Sequence, residues 1–142
     1  MQRKIHFFNE SNSDSISFLK KDFRQIAQKI FIDYNIKVNY INVIFCDDEY
    51  LLIINQSYLD HDTYTDIITF DDGAEKKGSD MFISLDRIRE NALKENLKPE
   101  LELKRVFIHG CLHLCGLKDK TLVQKKKMRT LEEHYLYQKF EI

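Results

Sequence analysis

Apolar residues recur along this chain in two rhythms. Ile16, Leu19, Phe23, Ile26, Ile30 and Phe31 return every three or four positions. That spacing predicts a helix over residues 15–34, with Ser13 or Asp14 placed to cap it. The stretch VNYINVIFC (38–46) instead alternates and is rich in β-branched and aromatic residues, so it reads as a strand. Shorter runs predict further strands over 3–8, 65–70 and 81–84. Asp47 or Asp48 opens a helix through Ser57 that has Leu51, Leu52, Ile53 and Ile54 to bury. The polar run DDGAEKKGSD (71–80) carries two glycines and reads as a loop.

The last third of the chain is helical in pattern. Residues 84–96 put Leu85, Ile88, Ala92 and Leu93 on one side. Pro99 suits the first turn of the next helix, where Glu100 and Glu102 meet its positive end, and that helix runs to about Cys115. Thr121-x-x-Gln124 is a capping-box signature and opens a final helix over 122–137. Strands and helices in this order predict an α+β fold: a small four-stranded mixed sheet covered by about five helices.

Composition narrows the class. A chain of 142 residues is the size of one domain, and we expect a single domain over 1–142. With 43% hydrophobic and 32% charged residues it reads as globular and soluble. The net charge of -1 gives no global attraction to a polyanion, so any nucleic-acid site must be a local patch. Cys46, Cys111 and Cys115 are too few and too loosely spaced for a disulfide framework. No apolar run follows the first basic residues as a leader would need, and none is long enough to span a membrane. A reducing cytoplasm and no membrane partner are therefore expected.

The chemistry concentrates in VFIHGCLHLCGLKDKT (106–121). Histidines four apart on a helix share a face, so His109 and His113 make half of a metal site. Zinc suits nitrogen ligands at an open three-ligand site. Gly116 permits a left-handed turn after the helix, and a chain reversing there brings Asp119 back toward the histidines. The spacing His-x3-His-x2-Gly-x2-Asp resembles the long metzincin signature, where the last position is histidine. Those peptidases carry a glutamate base directly after the first histidine, and here that place is Gly110. Cys111 and Cys115 fall on the opposite side of the helix and read as buried apolar residues. The bland alternatives are two hydrogen-bonded core histidines and, for Asp119, an acid at the start of the last helix.

These residues resemble a family. His109-Gly110-Cys111-Leu112-His113-Leu114-Cys115-Gly116 is similar to the HGxLHLxGYDH signature of the YbeY-type endoribonucleases, the rRNA maturation factors. Upstream, Asn55-x-x-Tyr58, Asp62 and Thr65-Asp66-Ile67-Ile68-Thr69-Phe70 resemble that family's NxxYRxxDxPTDVLSF segment. Gly78-Ser79-Asp80-Met81-Phe82-Ile83-Ser84 resembles its GDIxIS strand. The resemblance covers about 51–119. It departs at three positions: Asp119 for the third histidine, Leu59 for the arginine and Tyr64 for the proline.

The resemblance implies a zincin-like metal helix beside a four-stranded sheet, with one Zn2+ per chain held by His109, His113 and Asp119. It implies a cytoplasmic, single-strand-specific endoribonuclease acting on the 3′ end of 16S rRNA and in ribosome quality control. The expected partners are single-stranded rRNA and the small ribosomal subunit, with the chain itself a monomer. Asp66, His109 and His113 are the expected catalytic residues. Asp66 would be a base or a support to the ligands; on residue type alone it is as well a turn aspartate. With Leu59 unable to clamp a phosphate, Lys118, Lys120 and Arg87 are the candidate replacements. The run Lys125-Lys126-Lys127-Met128-Arg129 is a further RNA contact or simply a solvated face, with Lys20-Lys21 and Lys76-Lys77 as weaker sites. Tyr58 or Tyr64 would stack on bases. The zinc would polarise a phosphate oxygen or activate water, or the RNA 2′-hydroxyl would be the nucleophile. Two other readings stand beside this one: a non-catalytic ribosome-associated module with a structural zinc, and a zinc metallopeptidase.

Overall fold

A computed structural model of the chain describes residues 4–11, 20–59, 66–71 and 77–138. Ser13, Asp14, Asp60, His61, Asp62, Tyr64 and Lys76 lie outside the described residues, as do the side chains of Tyr58, Leu59 and Lys77. The elements run β1 (Ile5–Asn9), α1 (Lys20–Asp33), β2 (Val38–Cys46), α2 (Asp48–Leu59), β3 (Ile67–Asp71), β4 (Lys77–Ser84), α3 (Leu85–Glu95), α4 (Pro99–Leu114) and α5 (Leu122–Leu136). The four strands form one sheet in the order β1-β2-β4-β3. β1 and β4 flank β2 in parallel, and β3 closes the edge antiparallel to β4. The fold is thus α+β with a mixed sheet, as the residue pattern predicts.

Alternation along β2 explains its two-sided role. Ile41, Val43 and Phe45 are buried on one face, where the main core gathers with α1, α4 and α5. Cys46 is buried on the other face, with Leu51 of α2 and Ile68 of β3. α4 is the central helix. Leu103, Val106, Phe107, Ile108, Cys111 and Leu112 all enter the main core, and the Phe107 ring packs on Phe23 of α1 at 4.7 Å. Burying side chains of this size contributes about 1.5–3 kcal/mol each.

Gly110 lets α4 lie close on the sheet. A Cβ there would meet Ile67 Cδ1 at 2.9 Å and Met81 Sδ at 3.2 Å. Position 110 therefore faces the strands, and any long side chain would be driven into them.

Both ends of the loop that the polar run 71–80 predicts are strand: Asp71 ends β3, and β4 begins at Lys77. Their polar composition is overridden by pairing, since Lys77 to Asp80 align with Val38 to Asn42 of β2. Ser79 is fully buried there, and Asn42 donates its amide to Asp80 Oδ1 at 3.0 Å. Strand pairing satisfies backbone groups that a polar sequence alone does not reveal.

Candidate metal centre

The site grows from the end of α4. Gly116 adopts φ 92°, the left-handed region where a Cβ is costly. The Gly116 N–H donates to the His113 carbonyl at 2.9 Å and the Leu117 N–H to the Leu112 carbonyl at 3.2 Å. This Schellman pair ends the helix and turns the chain back over it. Two consequences follow for the histidine face. The Leu117 carbonyl reaches His113 Nδ1 at 2.8 Å, and Asp119 comes beside both rings. Thr121 then caps α5, with Gln124 closing the capping box.

Three ligand atoms converge. His109 Nε2 and His113 Nε2 are 2.9 Å apart, and Asp119 Oδ2 lies 3.2 Å from the first and 3.6 Å from the second. A tetrahedral ion with bonds of about 2.0–2.1 Å holds such atoms roughly 3.3 Å apart. The trio therefore fits a metal ion in spacing as well as in chemistry, as His109, His113 and Asp119 can each offer one atom to it.

Proton placement strengthens that fit. A carbonyl only accepts, so His113 must donate from Nδ1 to Leu117. His109 Nδ1 lies 2.6 Å from Glu132 Oε2, again an acceptor. In the neutral rings both Nε2 atoms are then lone pairs, and they face each other with a carboxylate oxygen beside them. Such a point is stable only around positive charge, a metal ion or a proton. The His109 pKa shows the same demand. Burial favours the neutral ring, yet Glu132, followed by Asp119 and Asp66, outweighs it and holds the pKa above the ordinary value.

A buried charged chain stands behind His109. Arg105 donates Nε and one terminal nitrogen to the two oxygens of Glu102, each at 2.7 Å, and its other nitrogen to Glu132 Oε1 at 2.8 Å. Glu102 and Glu132 are 1% and 2% exposed. Burial pushes the Glu132 carboxyl up, but hydrogen bonds from His109 and Arg105 overcome it and set its pKa below the usual range. The local signal for this chain is that Glu102, Arg105, His109 and His113 recur three or four apart on one helix, whereas Glu102 reads at first sight only as an acid near the helix start. Glu132 comes from another helix and carries no local signal.

The other expected residues are distributed as follows. Asp66 lies just before β3, its carbonyl accepting from the Ser84 N–H at 3.0 Å. Burial raises its pKa, opposed by the charges of Arg105 and His109. Lys118 and Lys120 are exposed on either side of Asp119, and Lys125 and Lys126 are exposed early in α5. Arg87 sits elsewhere: its guanidinium is paired with Asp48 of α2 at 3.0 Å and with Glu90. His134 is exposed on α5 with its ring against Tyr135.

Cys111 is fully buried, and burial lifts its thiol well above the ordinary range. Cys115, expected to be buried, is only partly so because it caps α4 where the helix leaves the core; its thiol is pushed up to about 12. Neither is in the ligand group. A peptidase-type base after His109 is excluded by packing, since position 110 faces Ile67 and Met81.

Comparison with known proteins agrees with this geometry. The sequence profile of the family described as Endoribonuclease YbeY matches residues 6–139. An Endoribonuclease YbeY of Christiangramia forsetii is 47% identical over 132 residues, 92% of this chain and 90% of the relative. Another, from Porphyromonas gingivalis, is 47% identical over 138 residues, covering 94% and 88%. A solution structure of a Thermotoga maritima protein superposes with a TM-score of 0.64 at 26% identity, covering 93% of this chain and 86% of that one.

Proposed function

The chain belongs to the Endoribonuclease YbeY family, and on that premise we propose that it is a zinc-dependent, single-strand-specific endoribonuclease acting in rRNA maturation. In this reading residues 1–142 form one metal-dependent hydrolase domain, and the ion is held by His109, His113 and Asp119. The observation that carries it is the convergence of three acceptor atoms within 3.6 Å, with both remaining ring nitrogens already engaged as donors. Zinc is the ion that two imidazoles and one carboxylate suit best. When bound, it supplies Lewis acidity toward a phosphodiester oxygen or a water.

The chain's own groups would do the rest. Asp66, with its raised pKa, is suited to take a proton from the attacking hydroxyl, whether of water or of the RNA 2′ position. A cleft of about 230 Å³ opens beside the metal loop, lined by Gly116, Leu117, Lys118, Gln124, Lys127 and Met128. The first turn of α5 holds no acid, and Lys125, Lys126 and Lys127 follow it. The positive end of the helix and these lysines act together on a phosphate backbone. Lys118 and Lys120 replace the clamp that Leu59 does not offer.

The test is cleavage of single-stranded and duplex RNA by the purified chain. Single strands should be cut, cutting should stop with a chelator, and zinc should restore it. A chain that binds zinc stoichiometrically and leaves RNA intact would instead be the non-catalytic ribosome-associated module.

A further inference from the structure

Glu132 has no place in the ligand trio, yet it is buried to 2% exposure and its two oxygens are divided between two donors. Oε1 accepts from Arg105 at 2.8 Å, and Oε2 accepts from His109 Nδ1 at 2.6 Å. Arg105 cannot turn away, because Glu102 grips it with both oxygens. The buried chain therefore ends in one defined effect at the metal face. A proton on Nδ1 of a neutral imidazole leaves Nε2 as a lone pair.

We propose that Glu132 is the positioning residue of the metal centre: it locks His109 in the Nδ1–H tautomer that aims a lone pair at the ion, and Arg105, anchored on Glu102, fixes Glu132 for that task. The inference rests on the metal reading of His109, His113 and Asp119. Charge supports it as well. Arg105 stands between Glu102 and Glu132, and half-exposed Arg129 comes only to 3.8 Å from Glu132, so together with Asp119 the cluster keeps a net negative charge that suits a cation. Partners of this kind orient a ligating imidazole and raise its basicity.

The isosteric variant Glu132→Gln gives a sharp test. An amide has one oxygen, and both neighbours of residue 132 are donors. The oxygen must go to Arg105, which is always charged, and the NH2 then faces His109. Nδ1 is forced to accept, the proton moves to Nε2, and the ligand position is blocked. Zinc affinity, read by competition with a chromophoric chelator, should fall by about 10–100-fold. In zinc-free protein held in alkaline solution, 15N resonances of His109 should switch from the Nδ1–H to the Nε2–H tautomer. A purely structural role of Glu132 would not move that tautomer.

Glu132→Ala should lose affinity similarly, and Glu132→Gln stands alone if the alanine variant does not fold. A folded Glu132→Gln protein with parental affinity and the parental tautomer would overturn the proposal. If the parent itself binds no zinc, the metal reading fails. The tautomer measurement then still decides the role of Glu132 by itself.

Discussion

Asp119 brings Oδ2 to 3.2 Å from His109 Nε2, although it stands on the far side of the turn that ends α4. A helix-start acid with no other role would have no reason to aim at two imidazoles. We expect Asp119→Asn to weaken zinc binding at least tenfold, about 1.4 kcal/mol. Asp119→His should keep the ion, since imidazole is an equally good ligand. Competition titration against a chelator measures both. Unchanged affinity in Asp119→Asn, with only thermal stability lowered, would return Asp119 to a capping role.

Gly110→Glu restores the peptidase motif in sequence and should fail in structure. The new side chain meets Ile67 and Met81, and its carboxylate enters the core without a partner. Overpacking and an uncompensated buried acid together should cost at least about 3 kcal/mol. Urea unfolding reads that loss. A stable Gly110→Glu protein that cleaves a peptide library would contradict the packing argument.

Lys125→Ala with Lys126→Ala should weaken binding of single-stranded RNA while leaving zinc affinity at the parental level. Each phosphate contact removed should flatten the dependence of log K on log salt by about 0.7. Fluorescence anisotropy over a salt series gives the slope. An unchanged slope would show that these lysines are merely a solvated face. Lys118→Ala and Lys120→Ala extend the test to the metal loop.

Tyr135 ties α5 to the end of α1, its hydroxyl donating to Asp33 Oδ2 at 2.7 Å. That hydrogen bond is the main reason the Asp33 carboxyl titrates below its ordinary value, with Lys29 assisting against burial. A depressed acid stabilises the fold above its unfolded pKa, near 4, and the effect is lost as pH falls through the folded value. Asp33 is partly exposed, so we expect Tyr135→Phe to cost only about 1 kcal/mol at neutral pH. The difference from the parent should shrink as pH falls below the unfolded value and through the depressed folded one. Thermal unfolding over an acidic pH series checks this.

Much of this architecture was legible in residue patterns, for physical reasons. Long amphipathic runs such as those of α1 and α4 fix element type, because one face of each must be buried. His109, His113, Gly116 and Asp119 were legible because a helical repeat and a left-handed turn are local geometry. Residues 77–80 were misread because a strand between two partners takes its hydrogen bonds from them whatever its polarity. Glu132 was invisible because α5 meets α4 only in three dimensions. The pairing of Arg87 with Asp48 was likewise hidden, because α2 and α3 meet only in three dimensions.

The Schellman turn at Gly116 gives the three ligands unequal freedom. His109 and His113 are clamped from behind by Glu132 and Leu117, on a helix buried against the sheet. Asp119 belongs to the connecting segment and is 39% exposed. An ion bound by this trio would exchange from the carboxylate side, with the imidazole pair as the fixed seat. Entry and escape rates would then depend on the short segment between Gly116 and Thr121. A substitution there that spares Asp119 and Leu117 would change how long an ion stays while leaving the ligand set that selects it intact.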